Sequence, residues 1–172
     1  MMTLIGDSLL VRLNAYRRPR QKFYSAELAL RMYLSAAAAN GGRLLWVGSV
    51  APYNPDSIDG KKHITNLILL NPSNAHAVAG HIVGVGPRYD PTAGSPIAGY
   101  EPVTPLAQIP NATWIALRDV EDIPRFDASD YITVTPPDTY TPSLPLVEAL
   151  GRKELRNKRL WIRPASVDNA ED

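Results

Sequence analysis

A chain of 172 residues, 45% hydrophobic and 20% charged, has the length and composition of one globular domain rather than a disordered segment. It has no cysteine, which excludes a disulfide framework and a thiolate metal site. No apolar run approaches the roughly eighteen residues a membrane helix needs, and the N-terminus lacks the features of a signal peptide, so the cytoplasm is the expected compartment.

The net charge is only +1, yet it is unevenly distributed. Arg12, Arg17, Arg18, Arg20 and Lys22 lie close together with no acid among them, and Arg152, Lys153, Arg156, Lys158, Arg159 and Arg163 form a second basic run. Acids dominate residues 90–140. A charge run is ordinarily a solvated face, but two basic ends that met in space would make a phosphate-facing patch.

In chain order, the clearest helix is expected over residues 25–40. Ser25 can cap its first amides, and Asn40-Gly41-Gly42 supplies a left-handed stop. Leu28, Met32 and Ala36, beside Leu30, Leu34 and Ala37, give an apolar stripe. Short strands follow at residues 43–50, 63–70 and 78–85, divided by turn formers around Pro52–Gly60 and at Asn71-Pro72-Ser73-Asn74. Gly80, Gly84 and Gly86 point to a bulge or to close backbone approach in the third of these.

Residues 87–111 carry six prolines and read as a long loop, a candidate lid or binding loop. Strands are expected at residues 113–120 and 131–135, a short helix over 146–155 interrupted near Gly151, and a last strand at 159–163. The 16 prolines agree with short elements and many turns. No helix separates the strands of residues 43–135, which disfavours a doubly wound fold. The expected fold class is α+β: a small, partly open, mixed or antiparallel β-barrel with flanking helices. The single domain, 1–172, comprises a basic segment and helix (1–42), a β-rich core (43–164) and a tail (165–172).

Catalytic motifs are weak. Leu4-Ile5-Gly6-Asp7-Ser8-Leu9 resembles the opening block of the GDSL hydrolases, which would make Ser8 a nucleophile. That family's late Asp-x-x-His is missing, and His63, His76 and His81 all lie mid-chain, so Ser8 is expected in a turn or helix cap. His76 and His81, five apart, fit no standard metal spacing, and no helix follows Gly86 to receive a pyrophosphate. No catalytic residue, metal or cofactor is assigned. The aromatic residues Trp46, Tyr53, Tyr89, Tyr100, Trp114 and Trp161 stand near strands or loops beside short polar side chains. Each can serve the core, and together they could also stack on a base and bond its edge.

The middle of the chain resembles the EVE branch of the PUA-like superfamily. Trp46 is followed by Pro52-Tyr53-Asn54-Pro55-Asp56-Ser57, then by Ile64-Thr65-Asn66, Ser73-Asn74, Gly80-His81-Ile82-Val83-Gly84 and Tyr89-Asp90-Pro91-Thr92. The closing Arg159-Leu160-Trp161-Ile162-Arg163-Pro164 is similar to that family's late strand. The chain departs from the pattern at Ala51 and Thr65, and it has no Gly-Asp block ahead of Ser73.

The resemblance implies a PUA-like barrel and recognition of a base, modified or not, in DNA or RNA. Trp46, Tyr53 and Tyr89, with Asn66, Ser73, Asn74 and Asp90, are the candidate base contacts. Arg17, Arg18, Arg20, Arg156 and Arg159 are the candidate phosphate contacts, and a separate effector protein could act beside the module. Two other classes stay open: a protein-interaction or structural domain without a ligand pocket, and a small-molecule enzyme with no familiar motif.

Overall fold

The computed structural model describes residue 4 and residues 6–13, 24–48, 64–109, 112–134, 143–155 and 159–165. Among them the elements run β1 (Asp7–Arg12), α1 (Ala26–Ala39), β2 (Leu44–Gly48), β3 (Ile64–Leu70), β4 (Ala77–Gly86), β5 (Thr113–Ile123), β6 (Tyr131–Thr133), α2 (Leu146–Leu150) and β7 (Leu160–Pro164). The strands form one sheet in the order β2-β5-β4-β3-β1-β7-β6. Every ladder is antiparallel except β1–β3.

The fold is therefore α+β with a seven-stranded mixed sheet, and the sheet is not closed into a barrel. Its edges are β2 and β6, each shielded by nearby chain. The Leu45 amide donates to the Glu101 carbonyl at 3.1 Å, and the Thr133 amide donates to the Leu144 carbonyl at 2.8 Å. Such cover limits strand-to-strand association at an exposed edge.

Helix α1 is bounded as its sequence dictates. Ser25 is extended and its Oγ accepts from the Leu28 amide at 3.1 Å. Gly41 and Gly42 take positive φ values of 66° and 81°, and the Gly42 amide returns to the Ala37 carbonyl. The buried face matches the expected stripe in part, at Leu30 and Ala37, with Leu34 and Ala36 packed against the same core. It consists of Ala26, Ala29, Leu30, Tyr33 and Ala37, while Leu28 is 47% exposed. Small residues at 26, 29 and 37 allow close approach, and Tyr33 reaches the core beside Trp46.

Ser8 lies in neither a turn nor a helix cap: β1 is an inner strand between β3 and β7. Its alternation explains the difference. Leu9 and Val11 face α1, and Leu10 faces the opposite side, so the strand needs apolar residues on both faces. The α1 side also buries Leu44, Trp46, Leu67, Leu69, Val78, Ile115 and Leu117. The other side has two patches. α2 covers Leu10, Ile68, Leu70, Ala77 and Ile162 with Leu146 and Ala149, and the long loop covers Leu45, Val47 and Ala116 with Ala107 and Ala112. Covering both faces is why β2 and β3 read as continuous apolar runs, each fully buried Leu or Ile contributing roughly 1.5–3 kcal/mol.

β4 carries the irregularities its glycines foretold. Its register with β5 shifts between Ala79 and His81, opposite Asp119 at φ 53°, and again between Ile82 and Gly84, where Val83 turns outward. The Cβ of Leu117 would stand 2.9 Å from a Cβ at position 80, so Gly80 lets the two strands close up there.

Candidate functional site

The sheet face opposite α1 carries one polar row between its two apolar patches. Ser8 pairs with Asn66, Asn66 with His81, and His81 with Arg118, so four adjacent strands present these side chains at one level. Direct partners share a face, and Ser8 stands two residues from Leu10 and Asn66 two from Ile68, which fixes that face as the one away from α1. Exposure rises along the row. Ser8 and Asn66 are each 1% exposed, His81 is half-buried and Arg118 is exposed, paired with Asp119 at 2.6 Å.

Asn66 Nδ2 donates to Ser8 Oγ at 3.4 Å. An amide N–H cannot take the serine proton, so this neighbour does not activate Ser8 as a nucleophile. Among the described residues no group of three or more His, Asp or Glu could hold a metal ion.

Further along the same face lies an aromatic group. Trp114, Tyr89 and Tyr100 pack with Ile97 and Ile109 against the loop-covered patch, all of them partly buried. The Trp114 indole occupies the space that a side chain at Gly86 would fill, and at Gly84 a Cβ would stand 2.9 Å from Ile97 Cδ1. The loop itself is anchored. The Tyr89 amide donates to the Ala112 carbonyl at 2.8 Å, Asn40 Nδ2 donates to the Gly99 carbonyl at 2.7 Å, and the Arg43 guanidinium stands 5.9 Å from the Tyr100 ring centroid. Burial, with the nearby Glu101 and Asp90 charges, pushes the Tyr89 hydroxyl pKa up and keeps it a neutral donor.

The sequence-predicted base contacts among the described residues fall in five places. Trp46 is 4% exposed, under α1, with its ring packed on Gly48, and it serves the core. Asn66 belongs to the polar row and Tyr89 to the aromatic group. Asp90 is exposed and closes a local turn, its Oδ1 accepting from the Thr92 amide and hydroxyl at 2.9 and 2.8 Å, which holds its pKa below the usual carboxylate range. Ser73 and Asn74 sit in the β3–β4 turn, past the other end of β3 from Asn66, where the Ser73 amide donates to Asn71 Oδ1 and Asn74 Oδ1 accepts from the His76 amide.

Arg159 is half-buried just ahead of β7. Tyr53, Arg17, Arg18, Arg20 and Arg156 lie outside the described residues.

Sequence reasoning missed the partners that complete these groups. His81 and Arg118 join Asn66 only through strand register. Asp7, read as part of a hydrolase-like block, is 7% exposed and accepts from Trp161 Nε1 at 2.7 Å and from Arg163 Nη2 at 3.1 Å. The alternation Trp161-x-Arg163 in the last strand was the available signal, since it sends both side chains to the same face.

Comparison with family models, with curated proteins and with solved structures finds no match for the chain. Among the described residues no helix is long and apolar enough to cross a membrane.

Proposed function

We propose that the chain is a nucleic-acid-binding module that holds one base of DNA or RNA, modified or not, on the sheet face opposite α1. The observation that carries this reading is the single face shared by a polar row and an aromatic group. His81 offers a ring nitrogen for a base edge, with Asn66 buried behind it in the row, Arg118 at the exposed end offers a cation for a phosphate, and Tyr89 and Trp114 offer ring faces. Trp46, committed to the core, leaves the stacking role to these two. The likeness of the sequence to EVE domains supports the same reading, with a partly open PUA-like barrel as the finer fold, a cytoplasmic setting and a separate effector protein. Backbone affinity would come from the basic runs that include Arg17, Arg18, Arg20, Arg156 and Arg159. The test is titration of labelled single- and double-stranded oligonucleotides, with and without modified bases, at two salt concentrations.

The burial of Trp46 favours a second reading, a protein-interaction domain whose anchored loop over residues 87–109 forms the partner surface. Its mark would be no oligonucleotide binding at micromolar concentration in low salt.

A further inference from the structure

The start of α1, the β3–β4 turn and β5 meet at one histidine. His76 Nδ1 lies 2.7 Å from Glu27 Oε1 and Nε2 lies 2.5 Å from Asp122 Oδ1, with the imidazole side chain 13% exposed. A neutral imidazole carries one N–H and can donate to only one carboxylate. Both contacts are satisfied together when both ring nitrogens are protonated. The two nitrogens point to different carboxylates, so the arrangement is a bridge and not a metal-ligand set.

Other charged and polar groups complete the corner. From α1, Arg31 Nε stands 3.8 Å from Glu27 Oε1. From the turn, Asn71 Nδ2 and Asn74 Nδ2 donate to Glu27 Oε2 at 3.2 and 3.1 Å. From β5, Asp122 is the acid facing the ring. The turn is unusual in its backbone: Ala75, between Asn74 and His76, has φ 62°, a left-handed conformation that a non-glycine residue adopts only when its surroundings hold it there. The bonds of the Asn71 amide to the His76 carbonyl and of the Phe126 amide to the Ala75 carbonyl depend on that turn.

We propose that Glu27, His76 and Asp122 form a pH-gated latch, in which imidazolium His76 holds the start of α1 and the strained β3–β4 turn on β5, and its deprotonation releases that corner. The direction of titration agrees. Burial lowers the His76 pKa, but the hydrogen bonds and charges of Asp122 and Glu27 outweigh it and leave the pKa above 6.5. The stabilisation is thus fully present below that ordinary value and is lost as pH rises through the raised one. Glu27 sets the other limit. Led by its hydrogen bond from Asn74, its pKa lies below 4.5, so its contribution is present above 4.5 and fades as pH falls through the lowered value. The latch is whole between these limits.

The experiment uses the full chain with 15N-labelled histidine. With three histidines in the sequence, His76→Gln assigns the His76 signals, and Asp122→Asn serves as a second variant if the first does not fold. At pH 6 both His76 ring nitrogens should be protonated, with a titration midpoint above 6.5 that Asp122→Asn lowers. Amide exchange over residues 26–33, corrected for its intrinsic pH dependence, should accelerate as pH rises through that midpoint. The advantage in Tm of the parent over whichever variant folds, about 2–4 °C at pH 6, should shrink by pH 9. A single neutral tautomer at pH 6, a midpoint at or below 6.5, or exchange and Tm differences that do not change with pH would each overturn the latch.

Discussion

The indole of Trp114 on β5 packs so closely on the backbone of Gly86 on β4 that a β-carbon at position 86 has no space. Trp114 and Gly86 are also direct ladder partners, so the ring lies back over its own strand pair. Gly86→Ala should therefore push the indole out of place at a cost of about 1–3 kcal/mol, the usual range for overpacking. Urea denaturation measures the loss. A change in tryptophan emission in the folded variant separates displacement of Trp114 from a general weakening of the strand.

Trp46 and Trp114 occupy opposite faces of the sheet and should respond differently to truncation. Trp46 is buried between the sheet and α1 beside Tyr33, so Trp46→Ala should cost on the order of 3–5 kcal/mol. Partly buried Trp114 should cost less on the same change. Equal losses for Trp46→Ala and Trp114→Ala in denaturant titrations would sink the assignment of Trp46 to the core.

Asp7 ties β1 to β7 through Trp161 and Arg163. Asp7→Ala removes the acceptor of a buried indole N–H and the counter-charge of an arginine whose side chain is 42% exposed. The first loss dominates because the second is screened by solvent, and about 1–3 kcal/mol is expected. Asp7→Asn keeps a carbonyl oxygen for Trp161 and should recover more than half of that stability in thermal or chemical melts. No recovery would mean that the charge, and not the hydrogen bond, holds the strand.

Local signals made much of this architecture legible. Ser25 and the Asn40-Gly41-Gly42 stop delimit α1 because caps act within a turn of the chain, and the glycines of β4 mark its bulges because the backbone irregularity lies at those residues. The inner strand β1 was illegible for a different reason. Its parallel partner β3 is more than fifty residues away, so the pairing that makes Asp7 and Ser8 buried residues leaves no nearby trace. The helix face was legible in part: Leu30 and Ala37 are buried as expected, but leucines outrank alanines on a hydropathy pattern, whereas close packing on the sheet selected Ala26 and Ala29 and left Leu28 outside. The candidate site was half legible: Asn66 and Tyr89 stand out by residue type, but only register joins Asn66 to His81 and Arg118.

Nucleic-acid binding should separate into a charge contribution and a base contribution. Neutralising Arg17, Arg18 and Arg20 together removes phosphate contacts and the counterion release that accompanies each, so affinity should fall for all sequences and the salt slope should flatten by roughly one unit for each phosphate no longer neutralised. Preference among bases should not change. Tyr89→Ala or Trp114→Ala removes a stacking face while the basic residues remain, and should cost on the order of 1–3 kcal/mol for the preferred base. His81→Ala, which takes the ring nitrogens from the accessible part of the row, should instead narrow the gap between preferred and other bases. Fluorescence anisotropy with labelled oligonucleotides at two salt concentrations reads all three effects. A parent protein that binds no oligonucleotide at micromolar concentration in low salt would remove the nucleic-acid reading, and the anchored loop over residues 87–109 would then be tested as a protein-binding surface.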